Sequence, residues 1–130
     1  MSDTSAAKIM VVDDEADILH IVLSYLRAWK FDVQGFTSPD EALKAFHENP
    51  SSYSLVLTDL RMPGMTGFEL ARSILQIRAD IKIVLMTAFE IDNLELELGL
   101  PRITYKEIIQ KPFRLKQVCD AVRKQLQVAN

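Results

Sequence analysis

Two tandem acids, a third acid, a hydroxyl and an amine each stand directly after a short apolar run in this chain. Asp13-Asp14 follows Ile9-Met-Val-Val12, and Asp59 follows Leu55-Val-Leu-Thr58. Thr87-Ala88 follows Ile81 to Met86, and Lys111-Pro112 follows Glu107-Ile-Ile-Gln110. Such runs read as buried parallel strands, whose carboxyl ends share the sheet edge where α/β proteins place their chemistry. Carboxylates gathered there repel one another and resist ionisation. A divalent cation relieves the repulsion, and an all-oxygen set that keeps several waters suits Mg2+. An ammonium, a hydroxyl and backbone N–H groups beside it are what a migrating phosphoryl group requires, because stabilising its spread negative charge is most of the catalysis. Asp59 is then the nucleophile and forms an acyl phosphate. Taken singly, each residue has a plainer role. Asp13-Asp14 can cap a helix, Asp59 and Thr87 can cap turns, and Lys111 can be a surface lysine before a helix. Their joint position at strand ends is what argues for chemistry.

The elements that must hold them alternate in period. Ile9–Val12 is the first strand, and Ile18, Leu19, Val22, Leu26 and Trp29 recur at helical spacing behind it. Asp32 to Thr37 is the weakest strand, and its mixed polarity suits an edge. Ser38-Pro39-Asp40-Glu41 predicts a helix start with a capping box, with Ala42, Leu43 and Phe46 facing the sheet. After the Asp59 strand, Pro63-Gly64 marks a turn. Thr66-Gly67-Phe68-Glu69 repeats the capping logic, ahead of a stripe of Phe68, Ala71, Ile74 and Leu75. Between Phe89 and Tyr105 a short helix is permitted through Ile91, Leu94 and Leu98, cut off by Gly99 and Pro101. Leu115, Val118, Cys119, Val122 and Leu126 form the closing helix. Strand–helix alternation without repeat or linker predicts one α/β domain across 1–130, with an ordered core of about 7–127 and helices on both faces of a parallel sheet.

Composition narrows the function. A net charge of −3 over 130 residues implies no basic face for direct nucleic-acid binding. The lone Cys119 excludes an internal disulfide, and its helical position predicts inert packing. No apolar run approaches the roughly 20 residues that span a bilayer, and Met1 to Ala7 lacks the pattern of a secretory signal. The expectation is a cytoplasmic protein with no membrane partner. His20 and His47 lie away from the strand ends and read as solvated.

The set Val11-Val-Asp13-Asp14-Glu15, Leu57-Thr-Asp59-Leu-Arg-Met-Pro63-Gly-Met-Thr-Gly67, Met86-Thr87-Ala88 and Lys111-Pro112-Phe113 resembles the receiver domain of two-component response regulators. Each piece alone is weak, but the four together, in order and spanning nearly the whole chain, are specific. The resemblance implies a flavodoxin-like, three-layer fold with a five-stranded parallel sheet in order 2-1-3-4-5. It implies Asp59 as phosphoacceptor, and Thr87, the Ala88 N–H and Lys111 as phosphate contacts. It implies Mg2+ held by Asp14, Asp59 and the Arg61 backbone carbonyl, with Asp13 acting largely through water. Lys111-Pro112 resembles a family peptide that is usually cis. The donor would be a sensor histidine kinase or a histidine phosphotransfer protein, and the output a downstream target protein bound around the fourth helix, last strand and last helix.

Departures from the family pattern shape further expectations. Ile108 stands where the family usually has a switching Tyr or Phe, and Tyr105 lies three residues too early. Gly99-Leu-Pro-Arg replaces the usual small-residue turn, so the signal is expected to travel through rearrangement of Phe89–Tyr105. Arg61 and Phe89 stand two residues beyond Asp59 and Thr87, where they would flank the hydrolytic water. A bulky Phe89 predicts a long-lived acyl phosphate. Acids at Glu90, Asp92, Glu95 and Glu97, with bases at Arg114, Lys116, Arg123 and Lys124, would suit a weak or phosphorylation-dependent homodimer. The leading reading is a switch, not an enzyme acting on other molecules. The alternatives are a constitutive interaction module of the same fold, or an aspartyl-phosphate phosphatase of the haloacid-dehalogenase type. The second wants an acid where Arg61 stands.

Overall fold

A sheet whose central strands are apolar and buried on both faces forms the middle layer. β1 (Lys8–Val12), β2 (Asp32–Phe36), β3 (Leu55–Asp59), β4 (Lys82–Thr87) and β5 (Glu107–Gln110) pair in parallel in the order β2-β1-β3-β4-β5. The computed structural model describes residues 8–88 and 107–127. The expectations for Phe89–Tyr105, including Phe89 itself and the acidic cluster, lie outside them. The order and the parallel pairing are those of the flavodoxin-like sandwich.

Every residue of β3 is buried, and Ile9 to Val12 of β1 are fully enclosed. Each such aliphatic side chain contributes about 2 kcal/mol relative to exposure. Among the described residues, two helices cover each face. Leu19, Val22 and Leu26 of α1 (Ala16–Ala28) and Val118, Cys119 and Val122 of α4 (Leu115–Gln127) pack on one side of the sheet. Ala42 and Phe46 of α2 (Pro39–Glu48) and Phe68, Leu70, Ala71 and Ile74 of α3 (Gly67–Ile77) pack on the other. The expected edge position of β2 is realised, and β5 is the opposite edge.

Some local expectations are corrected. Trp29 leaves the apolar stripe of α1: the helix ends at Ala28, and the indole is 49% exposed with the Arg123 guanidinium 5.3 Å from its ring centre. Helical period continued past the true end of the helix. β2 stops at Phe36, one residue before Thr37. At α2, Ser38 Oγ accepts from the Glu41 N–H, which is one half of a capping box, whereas at α3 both halves form between Thr66 and Glu69. Leu70 joins the expected Phe68, Ala71 and Ile74 in the buried face of α3, and Leu75 packs half-buried against the same core. Cys119 is buried as expected, and burial pushes its thiol pKa up.

Candidate functional site

Register brings the strand ends together. Val12 of β1 aligns with Thr58 of β3, and Asp59 aligns with Met86 of β4, so the residues that follow these positions emerge side by side. Asp13 continues β1, its N–H donating to the Phe36 carbonyl at 3.1 Å. Lys111 is fixed against β4 by its N–H, which donates to the Thr87 carbonyl at 2.6 Å. The Lys111–Pro112 peptide is cis, as the resemblance implied.

The Asp59 loop is shaped by glycine in two ways. Gly64 takes a φ of 85°, a left-handed conformation that tolerates few side chains. The Gly67 N–H donates to the Leu60 carbonyl at 2.8 Å and brings the start of α3 against the Asp59 main chain. Leu60 N–H in turn donates to the Met86 carbonyl and to Asp59 Oδ1, both at 2.9 Å. The carboxylate is thereby oriented by its own strand end.

Asp13, Asp14 and Asp59 each offer a carboxylate oxygen within 4.8 Å of the others. Lys111 Nζ lies 3.2 Å from Asp13 Oδ2, 3.3 Å from Asp59 Oδ2 and 3.8 Å from Glu15 Oε1. One ammonium therefore serves a cluster of acids. Burial, then the Asp13 charge, push the Asp59 carboxyl up to about 6, with Lys111 and the Leu60 N–H opposing them. Asp59 stays mostly ionised at neutral pH. Burial pulls the Lys111 ammonium pKa down, but Asp59 and Asp13 outweigh it and the net shift is upward, so the lysine stays charged. Asp14, Glu15, Asp59, Arg61, Ala88 and Lys111 line an open cavity of about 400 Å3.

The plainer roles can be weighed directly. Glu15, not Asp13 or Asp14, is the N-cap of α1, and it makes no side-chain cap. Asp13 Oδ1 does accept from the Glu15 N–H at 2.9 Å, while its Oδ2 faces Lys111. Lys111 is not a solvated lysine, since its side chain is 15% exposed. Thr87 is buried at the end of β4, and Ile108 is half-buried in register with Leu85. His20 and His47 are exposed on helices, as expected. Sequence reading gave no separate role to Glu15, which faces Lys111, or to Gly67, whose small size matters only once α3 is seen against β3. Both were visible as members of the quoted motifs.

The donor set fits a hard divalent cation: an all-carboxylate cluster, open on one side and short of positive charge. No helix among the described residues is long and apolar enough to cross a membrane.

Known proteins share this fold. The family model described as the response regulator receiver domain matches residues 9–123. The response regulator receiver protein CpdR of Brucella abortus is 31% identical over 119 residues, covering 92% of this chain and 96% of that protein. The DNA-binding response regulator MtrA of Mycobacterium tuberculosis is 35% identical over 124 residues, covering 95% of this chain. This chain spans 52% of MtrA, so about half the length of that relative. Among solved structures, the response regulator TrrA of Thermotoga maritima in complex with Mg2+ and BeF superposes with a TM-score of 0.79 at 30% identity, covering 92% of this chain and 98% of that one. A receiver domain from Clostridium thermocellum gives 0.81 at 29% identity, with 92% and 94% covered. The chain therefore belongs to the response regulator receiver domain family of two-component systems.

Proposed function

We propose that this domain is a phosphorylation-controlled binding switch in which Asp59 takes a phosphoryl group from a phosphohistidine on a sensor histidine kinase or phosphotransfer protein. The observation that carries the reading is the convergence of Asp13, Asp14 and Asp59 on one another, with the Lys111 ammonium seated on Asp13 and Asp59. One Asp59 oxygen attacks phosphorus as the phosphorus–nitrogen bond of the donor breaks. The bonding pair returns to the imidazole, which takes up a proton from solvent, and Asp59 keeps the acyl phosphate. The Leu60 N–H holds the carboxylate in place for that attack. Lys111, the Thr87 hydroxyl and the Ala88 N–H receive the phosphoryl oxygens.

Asp13, Asp14, Asp59 and the Arg61 carbonyl are the residues that would hold Mg2+. When bound, the ion neutralises charge on the phosphoryl oxygens, which is most of what this chemistry demands. The TrrA complex with Mg2+ and BeF, of matching fold, supports the ion's identity. Arg61 lines the cavity, and with Phe89 it would set how readily water reaches the acyl phosphate.

Intact mass after incubation with acetyl phosphate and Mg2+ tests the reading. The wild type is expected to gain one phosphoryl group, chelator to abolish the gain, and Asp59→Ala to show none. Absence of a gain with both acetyl phosphate and a phosphohistidine donor would overturn it in favour of the constitutive module.

A further inference from the structure

We propose that Gly67 is a positioning residue for Asp59: its missing side chain lets α3 close on the Asp59–Leu60 peptide and fixes where the Asp59 carboxylate stands. A Cβ on Gly67 would lie 1.9 Å from the Asp59 carbonyl oxygen, 2.8 Å from its carbonyl carbon and 2.9 Å from Leu60 Cα. All three are main-chain atoms, so no rotamer change relieves the collision. Ordinary contact begins near 3.4 Å, and one side must therefore retreat by more than an ångström.

Both sides are anchored. α3 is held by buried Phe68, Leu70, Ala71 and Ile74 and by its capping box. The Asp59–Leu60 peptide is held by the Leu60 N–H on the Met86 carbonyl. That same N–H orients Asp59 Oδ1 at 2.9 Å, so displacement of the peptide passes directly to the carboxylate. A misplacement of about 1 Å can cost roughly 100-fold in rate. Gly64 provides the contrast, because a Cβ there meets nothing within 4 Å and its requirement is the φ of 85° alone. The demand at Gly67 is for space at the site, and the demand at Gly64 is for a turn.

The experiment compares wild type, Gly67→Ala and Gly64→Ala, each shown folded by circular dichroism, with trimethylamine N-oxide added where needed. The first readout is hydrogen exchange at the Leu60 amide in the metal-free protein, measured against the slowest amides of β3. The second is phosphorylation by acetyl phosphate at saturating Mg2+, resolved into maximal rate and half-saturating donor concentration. Gly67→Ala should speed Leu60 exchange by about tenfold beyond its loss of global stability. It should also cut the maximal rate roughly 100-fold, leaving half-saturation within about threefold. Gly64→Ala should change both readouts by less than about threefold once corrected for stability. A folded Gly67→Ala protein whose Leu60 exchange tracks global stability and whose rate is near wild type overturns the proposal. So does a variant that stays unfolded in the osmolyte, since the glycine then serves folding as a whole. The rate readout rests on Asp59 being the phosphoacceptor, whereas the exchange readout does not. A wild type that takes no phosphoryl group would sink the functional reading and leave the exchange result to decide Gly67.

Discussion

At the carboxyl end of the sheet, Asp13, Asp14 and Asp59 crowd together with one ammonium on Asp13 and Asp59, and Asp59 is pushed up to about 6. At the amino end, mostly more exposed polar groups are matched partner for partner. The Arg78 guanidinium donates to the carbonyls of Pro50 and Tyr53 and to Asp80 Oδ1. Tyr53 hydroxyl donates to Gln34 Oε1 at 2.7 Å, with Lys8 Nζ 5.4 Å from its ring centre. Lys82 Nζ donates to the Gln125 carbonyl, and Gln125 Nε2 donates to Glu107 Oε1 at 3.0 Å. One end satisfies its polar groups and holds the strands in register. The other keeps like charges together and is ready for a cation and a phosphoryl group. The contrast teaches that the two ends of one sheet can be put to different uses, pairing at one and charge concentration at the other.

The largest effect should come from removing the ammonium. Lys111→Met is expected to slow phosphorylation of folded protein by roughly 100-fold, the usual cost of losing one preorganised charge at a transition state. Rapid-quench measurements with acetyl phosphate would check it, and a near wild-type rate would mean that Lys111 is structural only. Next in size is the paired end. Arg78→Ala strands two backbone carbonyls and should cost about 2–3 kcal/mol in urea denaturation, while the phosphorylation rate of the folded fraction stays within about twofold. A large rate loss there would show that the two ends are not separable.

A smaller effect comes from the repulsion itself. Because the Asp59 pKa is raised in the fold from 3.8 to about 6, ionisation of Asp59 weakens folding. The stability tied to its protonated form is complete below about pH 4 and is lost as pH rises through about 6. Asp59→Asn should therefore stabilise the metal-free protein near pH 8 by about 1–2 kcal/mol, after allowance for solvent at the open side, and by almost nothing near pH 4. Equal gain at both pH values would refute the electrostatic account. The smallest effect lies at the amino end, where α1 turns into β2. Lys30 holds a φ of 70° just past α1, so Lys30→Gly should raise stability by about 1 kcal/mol without altering phosphorylation.

Particular residues show how far the chain could be read without coordinates. Val11-Val12 before Asp13, and Leu57 before Asp59, mark strand ends by hydrophobic run and break alone, and the topology of parallel α/β sheets puts those ends along one edge. The mixed polarity of Asp32–Thr37 marked an edge strand, and Thr66–Glu69 marked a capped helix. These are local signals, written in neighbouring residues. Trp29 misled because a helical period does not show where a helix stops; its actual neighbour, Arg123, comes from α4. The half-formed box at Ser38 misled because a spacing permits a hydrogen bond without requiring it.

The sequence by itself determined the order of strands and helices, the residue types at the strand ends, and hence the family of chemistry they can perform. Those features follow from side-chain periodicity and backbone preference, which act over a few residues. Only the tertiary structure decided that one ammonium lies 3.2 and 3.3 Å from two acids drawn from different strands. It alone decided that Asp59 is pushed up to about 6, and that Gly67 must be small. Charge coupling and steric exclusion depend on distances between segments far apart in the chain, and those distances exist only after packing has closed them.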